Sequence, residues 1–98
     1  MEKIVRVRVS GRVQGVGFRA FVQFEAAARD IRGWVRNRRD GDVEAVFAGE
    51  TEAVMDLCVV CRHGPPHARV DQIKIFEEDD SALAEAGETD GFIQLPTI

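Results

Sequence analysis

The chain has 98 residues, 45% of them hydrophobic, which suits one domain (residues 1–98) around one core. No apolar run is long enough to span a membrane, and Met1-Glu2-Lys3-Ile4-Val5-Arg6 lacks the apolar stretch of a signal peptide, so the expected location is the cytoplasm. The net charge of −4 conceals an asymmetry, with ten Lys/Arg against three Asp/Glu in residues 1–39 (+7) and three against fourteen in residues 40–98 (−11). Ile4 to Val9 alternate, with Val5, Val7 and Val9 on one face, and predict a half-buried strand. Ser10 to Gly17 is too rich in glycine for a regular element. Phe18 to Asp30 predicts a helix from its alanines, with Phe21, Phe24, Ala28 and Ile31 near one face.

Ile31 to Arg38 reads as a second strand, and Arg39-Asp40-Gly41-Asp42 as a hairpin turn, because Asp-Gly supplies the backbone angles of tight turns. Val43 to Ala48 alternates as a third strand. Gly49-Glu50-Thr51-Glu52 opens a second helix in which Val54, Leu57, Cys58 and Cys61 form a buried stripe, and His63-Gly64-Pro65-Pro66 stops it. Ile73 and Ile75 mark a fourth strand. An acidic, mobile stretch from Glu77 to Asp90 precedes a short last strand near Phe92 to Leu95. The order βαββαβ plus a terminal strand predicts an α+β fold: a ferredoxin-like α/β sandwich, an antiparallel sheet with two helices on one face.

Chemistry concentrates in Gly11-Arg12-Val13-Gln14-Gly15-Val16-Gly17-Phe18-Arg19, between a strand and a helix. Its glycines let consecutive N–H groups point into one concavity, and the helix that follows adds unpaired N–H groups and a positive dipole end. Arg19 in the first helical turn is electrostatically misplaced unless an anion sits between it and the loop. The plainer alternative is a tight turn followed by a solvated arginine. The charge asymmetry has the same two readings: two solvated surfaces of opposite sign, or a positive field focused on an anionic ligand. A P-loop is excluded because no Gly-Lys-Ser/Thr occurs. Gly15, Gly17 and Ala20 match a dinucleotide fingerprint with Asp40 about twenty residues on, but an Asp-Gly hairpin and so short a chain do not fit a doubly wound sheet. Asn37, ending the second strand, reads on spacing alone as a turn amide satisfying local backbone, or else as a neutral acceptor that orients water.

Val13-Gln14-Gly15-Val16-Gly17-Phe18-Arg19 followed by Gly33-Trp34-Val35-Arg36-Asn37 resembles the paired signatures of the acylphosphatase family. The resemblance continues through Asp40-Gly41, Gly64-Pro65-Pro66 with Ala68-Arg69-Val70, and Gly91-Phe92-Ile93, and so covers nearly the whole chain. It implies hydrolysis of acyl phosphates to carboxylate and inorganic phosphate by direct attack of water. Arg19 would bind the phosphoryl group beside the amides of Gln14, Gly15, Val16, Gly17 and Phe18, and Asn37 would position the water. Neither metal nor cofactor is expected. The expected partners are a small acyl phosphate and inorganic phosphate, as product and inhibitor, but no nucleic acid and no membrane; the expected state is a monomer. Many members end the first helix with Leu-Gly-Leu, where this chain has Arg29-Asp30-Ile31; losing that leucine weakens one core contact, though Asp can still adopt the left-handed conformation glycine would supply.

Cys58-Val59-Val60-Cys61 matches C-x-x-C, but both cysteines fall deep in an amphipathic helix, where core packing is the better reading than redox chemistry. Adding His63 and His67 suggests zinc, yet one residue between Cys61 and His63 is far from finger spacing. Two other functions share the predicted architecture. One is an RNA-recognition domain of the same element order, for which Val43 to Ala48 offers a single aromatic, Phe47. The other is the acylphosphatase-like domain of hydrogenase-maturation carbamoyltransferases, which act on carbamoyl phosphate.

Overall fold

The computed structural model describes residues 1–87 and 91–98. Five strands, β1 (Glu2–Arg12), β2 (Arg32–Asn37), β3 (Val43–Glu50), β4 (Arg69–Glu77) and β5 (Phe92–Gln94), are joined by α1 (Phe18–Ala28), α2 (Thr51–His63) and a 3₁₀ helix (Asp80–Ala86). They lie in the order β4-β1-β3-β2-β5. β1, β2, β3 and β4 pair antiparallel as expected. β5 instead pairs parallel with β2, Gly33 opposite Phe92 and Val35 opposite Gln94, so the complete sheet is mixed. The chain leaves β4 on one edge, crosses beneath the sheet as the 3₁₀ helix and enters the far edge in the direction of β2.

The alternation in β1 does what its period dictates. Val5, Val7 and Val9 are buried in one cluster with Val22 and Ala26 of α1 and Val54, Leu57, Cys58 and Cys61 of α2. Removing each large apolar side chain of this kind from water stabilises the fold by about 1.5–3 kcal/mol. Phe47 belongs to this cluster, 5.9 Å from the Phe92 ring, and therefore faces the helices rather than the open face on which an RNA-recognition domain would stack bases.

Four local expectations change. The buried face of α1 is Phe18, Val22 and Ala26, spaced i, i+4, i+8, while Phe24 is 71% exposed and Ala28 is exposed as well. The aromatic at Phe18, placed at the edge of the glycine loop, sets the stripe, and Phe24 lies away from it. β1 continues through Arg12 past a register shift at Ser10/Gly11. Gly49 and Glu50 complete β3 rather than opening α2. Asp80 to Ala86, within the stretch read as mobile, forms 3₁₀ turns that cover part of the second, otherwise open face of the sheet. There Ala82 packs against Trp34 and Val46, and the Trp34 indole N–H donates to the Ala82 carbonyl at 2.8 Å. Glu88, Thr89 and Asp90, the end of that stretch, lie outside the described residues. Asp30 takes the left-handed conformation open to it, with φ 55°. Among the described residues, no helix is long and apolar enough to cross a membrane.

Candidate active site

The loop between β1 and α1 carries its backbone through two left-handed glycines, Gly15 at φ 74° and Gly17 at φ 80°. A Cβ at either position would meet nothing within 4 Å, so the requirement for glycine there is conformational rather than steric. Gly17 caps α1 without a side chain, and its carbonyl accepts from Phe21 at 3.0 Å. No N–H from Gln14 to Ala20 donates to a protein acceptor among the described residues. The result is a concave run of free donors at the positive end of a helix, the geometry that binds anions.

Asn37 is brought to this loop by the sheet. It ends β2 opposite Val43, while Arg36 and Arg38 on either side turn to the open face and bind Glu44 at 2.9 and 3.3 Å. Because side chains alternate along a strand, this clamp directs Asn37 to the helix-covered face. Glu44 also receives Arg6 at 2.6 Å. Burial pushes its carboxyl pKa up, but the bonds and charges of Arg6 and Arg36 more than offset this and hold it below the usual carboxylate range.

A cavity of about 150 Å³ collects Gly15, Gly17, Phe18 and Arg19 from loop and helix, Asn37 from β2 and Gln94 from β5, completed by Val13 and Ala20. Among the described residues its lining contains one cation and no acid. Among the described residues Arg19 has no carboxylate within salt-bridge distance, whereas Arg6, Arg8, Arg29, Arg32, Arg36, Arg38, Arg69 and Lys3 all do. A larger hollow of about 220 Å³ beside the 3₁₀ helix lacks this character, because its Arg32 is tied to Glu2 and Asp80 lines it as well.

The predicted loop residues divide. Gly15, Gly17, Phe18 and Arg19 line the cavity, but Gln14 and Val16 do not. The Gln14 amide nitrogen donates to the carbonyls of Arg38 at 2.7 Å and Asp42 at 2.8 Å, so both of its N–H groups brace the hairpin after Asn37. This side chain couples the loop to the end of β2 and leaves only the Gln14 backbone N–H for an anion. Val16 packs against the core. The sequence reading did not select Gln94; it lies 57 positions beyond Asn37, and only the parallel pairing of β5 brings it near.

The cysteines occupy the core. Burial pushes the Cys58 thiol up to about 11 and raises that of Cys61 further, so neither has the accessible low-pKa character of a redox thiol. Among the described residues no three His, Cys, Asp or Glu side chains are grouped so as to hold a metal ion.

The family model described as acylphosphatase matches residues 5–92. An acylphosphatase of Bradyrhizobium diazoefficiens is 50% identical over 97 residues, which cover 97% of this chain and 96% of the relative. The structure of an acylphosphatase from Coxiella burnetii superposes with a TM-score of 0.84 at 35% identity, covering 96% of this chain and 93% of that one. T. kodakarensis HypF contains a similar region, with a TM-score of 0.77 at 31% identity, covering 97% of this chain but 12% of HypF.

Proposed function

This chain belongs to the acylphosphatase family, and from that premise we propose that it hydrolyses acyl phosphates at the cavity between the glycine loop and Asn37. One observation carries the reading: an arginine without a carboxylate partner and a run of free backbone donors, both among the described residues, share a small cavity with a neutral amide. The loop N–H groups and the Arg19 guanidinium hold the three phosphoryl oxygens. The Asn37 side-chain carbonyl accepts a hydrogen from water and aims its lone pair at phosphorus.

The water oxygen bonds to phosphorus as the bond to the acyl oxygen breaks. The electron pair leaves on a carboxylate, and both hydrogens of the water end on inorganic phosphate. Carboxylate is a good leaving group, so no strong general acid is required. A loose phosphoryl transition state asks chiefly for positioning and for charge stabilisation, which the amides and Arg19 supply. Because Asn37 is uncharged, it does not repel an anionic substrate.

The test is hydrolysis of benzoyl phosphate with EDTA present. Turnover should survive chelation, and inorganic phosphate and sulfate should inhibit competitively. Arg19→Ala should lose phosphate inhibition and most of kcat/KM together, since one cation serves both bound and transition states. Lys at this position restores charge but not the two-pronged geometry, and should rescue only in part. Turnover abolished by EDTA and restored by zinc or magnesium would sink the mechanism. Unchanged phosphate inhibition in Arg19→Ala would remove this arginine from the site.

A further inference from the structure

Arg19, the loop amides and Asn37 account for the phosphoryl group and the water, and leave the acyl half of the substrate without a partner. Among the described residues, the remaining polar side chain at the cavity is Gln94, on β5 opposite Val35 and exposed to solvent. Its orientation follows from a backbone anchor. The Phe92 carbonyl can only accept, and it receives the Gln23 side-chain nitrogen at 3.0 Å. The Gln23 oxygen therefore turns to Gln94 and accepts from the Gln94 nitrogen at 2.9 Å. This leaves Gln94 with a second N–H and its oxygen unengaged among the described residues. Gln23, on α1, does not line the cavity.

Resting on the acyl phosphate reading, we infer that Gln94 donates its second N–H to the acyl carbonyl oxygen of the substrate, with Gln23 as the positioning residue behind it. An acyl carbonyl, and the carboxylate it becomes, are acceptors only, so the N–H and not the oxygen is the matching group. The contact is separate from the phosphoryl grip and makes Gln94 a determinant of acyl specificity. It is present in both ground and transition states, and it therefore acts on KM more than on kcat.

Gln94→Met keeps the length of the side chain and removes its donor. The KM for benzoyl phosphate should rise roughly 2- to 10-fold, the range of one neutral hydrogen bond, with kcat little changed. The inhibition constant of inorganic phosphate, which has no acyl group, should stay at the wild-type value. Gln23→Met should raise KM in the same direction by less, and the double variant should be no worse than Gln94→Met alone, because Gln23 acts through Gln94. An unchanged KM in Gln94→Met, a phosphate constant rising in step with KM, or additive effects in the double variant would each overturn the assignment. A wild type that hydrolyses no acyl phosphate overturns both readings; a wild type that does, with an indistinguishable Gln94→Met, overturns this one alone.

Discussion

On the open face of the sheet, Arg6, Arg36 and Arg38 converge on the buried carboxylate of Glu44, and Glu78 and Glu85 close the network from outside. Arg36 and Arg6 also lie over the Trp34 ring at 4.6 and 5.6 Å. At the mouth of α1, Arg19 has the same side chain and, among the described residues, no carboxylate beside it. Arginine is abundant in the N-terminal part of this chain; among the described residues Arg12, Arg39 and Arg62 also lack a carboxylate partner, but of these unpaired arginines Arg19 is the one that lines the cavity. The charge asymmetry of the sequence takes a new meaning from this contrast. Basic residues of the first 39 positions bind acids of the remainder, including Arg8 with Asp40 and Asp42, Arg29 with Asp56 and Lys3 with Glu77. Six of the ten basic residues of that segment are paired in this way, whereas Arg12, Arg19 and Arg39 have no carboxylate partner among the described residues.

The contrast is broken most severely at the cavity. Asn37→Ala should lower kcat on the order of 100-fold or more while phosphate inhibition stays near wild type, because a group acting on the nucleophile contributes to the transition state alone. Steady-state kinetics with phosphate titration would check this. Weak phosphate binding with normal saturated turnover would make Asn37 a binding residue. Asn37→Asp keeps the shape but places a negative charge beside an anion, and should lose phosphate affinity as well as rate.

On the open face the loss should appear in stability. Glu44→Gln leaves three arginines without the charge they share and should cost about 2–3 kcal/mol, read as a lower urea midpoint. The same residue sets a pH dependence. Its folded pKa is depressed, so its contribution is complete above the unfolded value of 4.5 and is lost as pH falls below that value and through the folded pKa. The urea midpoint of the wild type should therefore fall in acid more steeply than that of Glu44→Gln. Equal slopes would remove Glu44 from the account of acid sensitivity.

The smallest effect belongs to the 3₁₀ helix. Trp34→Phe removes the indole bond to Ala82 and part of the stacking surface for Arg36, and should cost about 1–2 kcal/mol. Hydrogen exchange should rise in Ser81 to Ala86 before it rises in β1. Uniform exchange across both would show that the 3₁₀ helix is not held separately.

The amino-acid sequence by itself determined the local features of this protein. Period-two valines made β1, the Leu57 stripe made α2, and Asp40-Gly41 turned the hairpin. Gly15 and Gly17 announced a loop with unusual backbone angles, and Arg19 and Asn37 could be selected as candidates because signature residues surround them. Gln14 was legible as a loop residue, but not as a side chain committed to the hairpin backbone, since its acceptors lie 24 and 28 positions away. Only the tertiary structure decided which arginines are neutralised, which face of α1 is buried, that β5 runs parallel to β2, and that Gln94 stands at the cavity. Those outcomes depend on contacts between distant segments. Hydrophobic period and turn chemistry act over a few residues, whereas charge pairing and edge-strand choice are settled when the chain closes on itself.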